Sequence, residues 1–293
     1  MMEYVALKRN VNSSIVVIES IDKMIEWSQN ERTKGNKIAF VPTMGYFHRG
    51  HLALMEMASH LGDKVVVSIF VNPTQFGPNE DLDKYPRDLK RDIDLAKSVG
   101  VDCIFFPNSK YMYPEGFQTW IEVEGVSKGL CGDKRPGHFR GVATVVLKLF
   151  NIVQPHVAVF GQKDFQQLKV IERMVQDLNL PVKIKSHPVV REKDGLAMSS
   201  RNTYLSSDER KSALCLFKAL ELAKKLHQTG IKNAKEIKKE MEKLIHSTPN
   251  TRIDYIFIGD STTLKETEDC PSGTLIALAV WVGNTRLIDN TIL

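Results

Sequence analysis

Five short apolar runs, spaced by helix-length segments, constrain the first two-thirds of this chain more than any other feature. Lys37–Met44 (KIAFVPTM), Lys64–Asn72 (KVVVSIFVN), Val101–Pro107 (VDCIFFP), His156–Phe160 (HVAVF) and Val182–Ser186 are short, and the first four are rich in Val, Ile and Phe. Parallel strands buried on both faces read this way. Val142, Val145, Val146, Leu149 and Val153 recur at helical spacing, and so do Leu168, Ile171, Val175 and Leu178. Strand, helix, parallel strand is the pattern of a doubly wound, Rossmann-like α/β sheet. Such sheets bind ligands beyond the carboxyl ends of their strands, so the residues after each run matter most.

The texture changes near residue 188. Ser206 and Glu209 are spaced as a capping box, opening a helix to about His227. Residues 233–246 form a second, Lys/Glu-rich helix whose charge run reads as a solvated face. Strand-like runs follow at Ile253–Ile258 and Leu275–Val282. The expectation is a Rossmann-like domain over 1–187 and a smaller α+β domain over 188–293. A length of 293 residues with 42% hydrophobic content supports two packed cores.

Charge and cysteine usage exclude several classes. Lys plus Arg is 40 against 35 acids, a net charge of +5, too mild to argue for nucleic acid. No apolar run reaches a membrane-spanning length, and the start MMEYVALKRN has no signal-peptide character. Cys103, Cys131, Cys215 and Cys270 lie far apart with no CxxC pair, as in a reducing compartment.

Four segments carry chemistry. In PTMGYFHRGH a strand ends near Met44, Gly45 permits a turn, and a helix begins near His51. His48 and His51 are three apart at a helix N-terminus, where free N–H groups and the helix dipole favour an anion. Gly50 allows close backbone approach. Zinc is an alternative for a His-x-x-His pair, although a third ligand is not evident nearby. Two satisfied surface histidines are the bland alternative.

In GQKDFQQL, Lys163 follows the fourth strand and suits a phosphate. Asp164 suits a helix cap or a ribose hydroxyl, capping being the commoner role. In DGLAMSSRN, Ser199, Ser200 and Arg201 offer two hydroxyls and a guanidinium to a departing diphosphate. The loop from Asn72 to Arg87 carries Gln75, a neutral donor and acceptor suited to a hydroxy acid. Polar turns are the bland reading of both.

HxGH after a strand resembles the nucleotidyltransferase superfamily, and Met-Ser-Ser-Arg resembles the KMSKS loop of class I aminoacyl-tRNA synthetases. More specifically, PTMGYFHRGH, FVNPTQFGPNEDLDKYPR, RPGHFRGV, GQKDFQQL and DGLAMSSRN resemble the signatures of the pantoate–β-alanine ligase family, in order and spacing. The resemblance runs from about residue 15 to the C-terminus; residues 1–14 precede it as a variable extension. It implies ATP-dependent joining of (R)-pantoate to β-alanine through a pantoyl adenylate, with release of AMP and diphosphate.

By the same resemblance, Met44, Gly45, Tyr46, Phe47, His48, Arg49, Gly50 and His51 bind ATP. His48, His51 and Lys163 act on its phosphates, and His51 holds the family's proton-donor position. Gly161, Gln162, Lys163 and Asp164 also bind ATP, as do Met198, Ser199, Ser200 and Arg201. Val190 meets the adenine through its backbone. Gln75 and Gln167 hold pantoate, and Gln75 also meets β-alanine. Arg135 and His138 lie near the site.

The family's acidic magnesium pair reads here as Arg91-Asp92, leaving Asp92 as the candidate ligand. Mg2+ with ATP is the implied cofactor, with no tightly bound organic group. A cytoplasmic homodimer with small-molecule substrates, and with neither nucleic acid nor membrane as partner, is expected. Two other readings remain distinguishable. A nucleotidyltransferase shares HxGH but lacks the Gln75 and Gln167 segments, and product identification separates it. An RNA-binding relative of the synthetases would show salt-sensitive RNA affinity.

Overall fold

The computed structural model describes residues 14–78 and 80–293. Apart from Ser14, the expected variable extension lies outside the described residues. The chain runs β1 (Val16–Ile18), α1 (Ile21–Thr33), β2 (Ile38–Thr43), α2 (Arg49–Leu61), β3 (Lys64–Ile69), α3 (Leu89–Ser98) and β4 (Cys103–Phe105). Next come α4 (Ser109–Met112), α5 (Leu130–Lys134), α6 (His138–Val153), β5 (Val157–Gly161), α7 (Phe165–Asp177) and β6 (Lys183–His187). The last elements are α8 (Ser207–Gln228), α9 (Ala234–His246), β7 (Thr251–Asp260), β8 (Thr274–Val282) and β9 (Thr285–Ile292).

The chain divides into two compact units. The first holds the described residues through Trp120 together with Thr144–Phe160 and Leu178–His187; the second holds Ile121–Ala143, Gly161–Asp177 and Pro188–Leu293. The first is built on a six-stranded sheet in the order β1-β4-β3-β2-β5-β6. The β1–β4, β4–β3, β3–β2 and β2–β5 pairs are parallel. It is Rossmann-like and doubly wound: alternate strand residues fill opposite faces, and helices cover both. Ala39, Val41, Val65, Val67, Ile104 and Val157 pack with Met55 and Ala58 of α2 and Ala96 of α3. On the other face Phe40 and Phe160 meet Phe150 of α6 edge-on, each at 6.4 Å, and Cys103 touches Met24 of α1.

Strand order reverses at the β2–β5 pair, the topological switch point at which such sheets open a crevice. β2 leads into Met44–His51, and β5 leads into Gly161–Asp164. The five expected strands all form, but β6, at the sheet edge, is largely exposed rather than buried on both faces. β1 is an addition to them: it has three residues at the sheet edge, and Val16 and Val17 are exposed. Leu178 departs from the expected stripe. It lies past the end of α7 and is exposed, because the chain turns at Asn179 with φ +52°.

The second unit contains the antiparallel sheet β7-β8-β9. Leu216 and Leu220 of α8 and Ile237, Met241 and Ile245 of α9 pack against Ile256, Ile258, Ile276, Leu278 and Val280 of the sheet. The expected capping box forms: Ser206 Oγ accepts from Glu209 N at 3.3 Å, and Glu209 Oε2 accepts from Ser206 N at 2.8 Å. β9 is a further addition, since TRLIDNTI is polar and lacks a strand's pattern. Its Asp289, Asn290 and Thr291 are nevertheless buried.

Asp289 shows why. Arg191 grips it bidentately at 2.6 and 2.9 Å, and Arg191 Nη1 also donates to Gly195 O at 3.0 Å. Burial pushes the Asp289 carboxyl upward, against the opposing pull of Arg191. Arg191→Met would leave a buried carboxylate unpaired and should destabilise the chain by about 3 kcal/mol in chemical denaturation. Adding Asp289→Leu should recover most of that loss; a double variant no more stable than the single one would count against the pairing.

Candidate active site

In the first unit, everything at the carboxyl end of β2 is fixed by the backbone of one turn. Thr43 Oγ1 donates to Ser68 O at 2.6 Å and accepts from Gly45 N at 3.2 Å. Gly45 and Tyr46 follow in the left-handed region, at φ +86° and +51°. A Cβ on Gly45 would stand 2.9 Å from Ile69 Cγ2 and 3.0 Å from Asp92 Oδ2, so the position demands glycine in both space and conformation.

Asp92, on α3, closes the turn. Its Oδ2 accepts from Tyr46 N at 2.6 Å and its Oδ1 from Phe47 N at 2.7 Å. The residue is 1% exposed. Burial raises its pKa, while the two N–H bonds and Arg91 pull the other way. Each carboxylate oxygen thus holds one N–H of the turn. Among the described residues no group of three His, Cys, Asp or Glu is placed to hold a metal ion.

The turn delivers two histidines to the start of α2. His48 is its N-cap: His48 Nδ1 accepts from Gly50 N at 3.1 Å, and His51 Nδ1 accepts from His48 N at 3.3 Å. This is a capping box made of imidazoles. With Nδ1 accepting, the neutral ring carries its proton on Nε2, so each histidine is an N–H donor there. The rings stack at 4.1 Å, beside the buried Phe47. Two N–H donors at a helix N-terminus have the chemistry that suits an anion. Arg49 is tied to Glu56 on the helix surface. Gln75 ends a short 3₁₀ turn capped by Asn72 and is largely buried.

In the second unit, Gln162–Asp164 form a 3₁₀ turn that passes directly into α7. Asn290 Nδ2 donates to both Gln162 O at 3.0 Å and Lys163 O at 2.9 Å, pinning that turn to β9. Lys163 lines a small cavity with Ala197, Ser199, Asn202 and Asp289. Asp164 is exposed at the end of the turn. Val190 O accepts from Met198 N at 2.9 Å, which closes the loop that leads into the Met198–Arg201 segment. Ser199 Oγ caps the following turn by accepting from Arg201 N at 3.3 Å, and Ser200 is buried. Arg135 Nη1 lies 3.0 Å from His138 Nε2.

Gln166 and Gln167 divide their work. Gln166 is buried; its Oε1 accepts from Cys131 N and its Nε2 donates to the carbonyls of Val126, Lys128 and Gly129. Gln167, the expected pantoate residue, is half-buried on the adjacent face of α7.

The family model for pantoate-beta-alanine ligase matches residues 16–292. The chain belongs to the pantoate–β-alanine ligase family. Its relatives within that family include the pantothenate synthetase of Syntrophus aciditrophicus strain SB, 55% identical over 94% of this chain and 96% of that one. The pantothenate synthetase of Thermotoga petrophila is 54% identical over 94% of this chain and 99% of its own. The solved pantothenate synthetase of Thermus thermophilus superposes with a TM-score of 0.90 at 45% identity, covering 94% of this chain and 99% of that one. A pantoate-beta-alanine ligase from Francisella tularensis, solved with beta-gamma ATP and beta-alanine, gives 0.78 at 36% identity, covering 95% and 98%.

Sequence reasoning missed the residues that anchor the candidate segments of the second unit: Gln166, Asn290 and the Arg191–Asp289 pair. Each acts across a long sequence separation and carries no local pattern that would have found it. Asp92→Ala would orphan two backbone N–H groups. We expect a loss of about 2 kcal/mol in stability, faster hydrogen exchange at Tyr46 and Phe47, and weaker ATP binding. Unchanged exchange at those two amides would show that the carboxylate does not hold the turn.

Proposed function

We propose that this chain condenses pantoate with β-alanine at the expense of ATP. The observation that carries the reading is the imidazole capping box, two oriented N–H donors at the N-terminus of α2, in a chain of this family. A carboxylate is a poor electrophile and must be activated. A pantoate oxygen attacks the α-phosphorus of ATP, the bond to the β-phosphate oxygen breaks, and diphosphate leaves. The amine of β-alanine then attacks the acyl carbon, the bond to the AMP oxygen breaks, and AMP leaves with that oxygen while the amine loses a proton.

Such chemistry depends on positioning and on neutralising charge. His48 and His51 meet phosphate oxygens through their Nε2 protons, so charge stabilisation accounts for them at least as well as proton donation. Met44–Phe47, Arg49 and Gly50 line the nucleotide beside them. Lys163, with Gly161, Gln162 and Asp164, serves ATP, as do Met198–Arg201, and Val190 meets adenine through its backbone. Gln75 and Gln167 hold pantoate, with Gln75 also meeting β-alanine. Magnesium would supply further neutralisation when bound with the nucleotide and water, with Asp92 as the candidate protein ligand.

We also assign the chain to the cytoplasm as a homodimer. Four buried cysteines, all free, support a reducing compartment, and no described helix is long and apolar enough to cross a membrane. The dimer rests on the family resemblance.

Exchange of label between diphosphate and ATP tests the first half-reaction. It should require pantoate and magnesium and proceed without β-alanine. His51→Ala and Lys163→Ala should each lower it by about two orders of magnitude or more while the variants remain folded. Exchange at the wild-type rate in either variant would remove that residue from the mechanism, and exchange independent of pantoate would overturn the assignment of the acid.

A further inference from the structure

Gln75 is assigned to pantoate in the function proposed above, and this inference rests on that reading. Which end of its amide meets the substrate is decided by neighbours within the first unit. Asn72 is 1% exposed. Its Oδ1 accepts from Tyr113 Oη at 2.9 Å, from Thr74 Oγ1 at 2.9 Å and from Thr74 N at 3.4 Å. Thr74 N can only donate, so the amide oxygen faces it, and the Tyr113 and Thr74 hydroxyls, 3.2 Å apart, gather on that same oxygen. Nδ2 therefore faces the other way and donates to Gln75 Oε1 at 3.1 Å. Gln75 is fixed in turn: its carbonyl is engaged by Asn72, and its Nε2 end lies 3.4 Å from Met44 Sδ, at the start of the nucleotide segment.

Tyr113 is built to be the fixed end of this chain. Its ring packs edge-on against Phe117 at 5.1 Å, stacks with Trp120 at 6.2 Å and lies 6.4 Å from Phe70. Lys148 Nζ sits 5.9 Å over the same ring and 4.8 Å over that of Phe117. Burial raises the phenol's pKa, opposed by its bonds to Thr74 and Asn72, so the hydroxyl keeps its proton and donates.

We propose that Tyr113 is a positioning residue: through Asn72 it holds the Gln75 amide with its N–H end toward pantoate, so that the site selects an acid whose oxygens accept there. A mispaired amide in a buried site is costly, which gives the orientation its discriminating power.

The test is steady-state kinetics on the full chain with ATP, pantoate and β-alanine. Asn72→Asp keeps the side-chain shape but places an acceptor where Nδ2 donated, and the Gln75 amide must turn its NH2 toward it. The KM for pantoate should rise about tenfold or more in Asn72→Asp and about threefold in Tyr113→Phe, with the KM for ATP held within about twofold. Should Asn72→Asp fail to fold, the double variant Tyr113→Phe with Thr74→Val removes two of the three donors and should exceed Tyr113→Phe alone. An unchanged pantoate KM, or equal rises for pantoate and ATP, would overturn the relay. A wild-type chain that does not consume pantoate would instead fail the functional reading itself, before any variant is made.

Discussion

The carboxylate of Asp92 on the amides of Tyr46 and Phe47 is the interaction from which the catalytic geometry of the first unit follows. A strand must end, the chain must reverse through two left-handed residues, and a helix must begin with its first N–H groups aimed outward. Left-handed backbone at a non-glycine residue such as Tyr46 costs of order 1 kcal/mol or more and persists only where its surroundings enforce it. A buried acceptor that takes two successive N–H groups enforces it here. The histidines then cap α2 with their Nδ1 atoms, and that capping directs their Nε2 protons. Conformation, tautomer and donor direction thus depend in sequence on one buried acid.

The second unit uses the same device with different groups. Asn290 holds the carbonyls of Gln162 and Lys163, and Gln166 gathers three carbonyls and one N–H from the segment before α5 and its first turn. Arg191 spans Asp289 and the Gly195 carbonyl, and Phe217 lies under its guanidinium at 4.9 Å. A Cβ at Gly195 would stand 2.2 Å from that Phe217 ring, and the glycine sits at φ +100°. Loops that handle a nucleotide need exposed polar atoms, and buried side chains keep their backbones from relaxing. Irregular structure next to a site is held by such satisfied polar groups rather than by apolar packing.

The strands and helices were legible because their pattern is local. Lys64–Asn72 could hardly be anything other than a buried strand, and Ser206 with Glu209 announced α8. The histidine turn was legible because glycine, a preceding strand and a following helix fix its geometry within a few residues. β9 was not, because Asp289, Asn290 and Thr291 look like a surface loop until their partners are known. Leu178 followed the helical spacing of α7 but lies beyond its end. Asp92 was singled out only through the resemblance to the family's acidic pair; its bonds to Tyr46 and Phe47 span 46 and 45 residues, and no window of sequence reveals them. Tyr113 stood outside every motif for the same reason, being 41 residues from Asn72.

The central claim is that a pantoate carboxylate attacks the α-phosphorus. Pantoate labelled with 18O in its carboxylate tests it directly in one turnover with ATP and β-alanine. Attack at that phosphorus predicts one labelled oxygen in each AMP formed, with the other retained in the amide product. Label in inorganic phosphate accompanied by ADP, or AMP free of label, would contradict it.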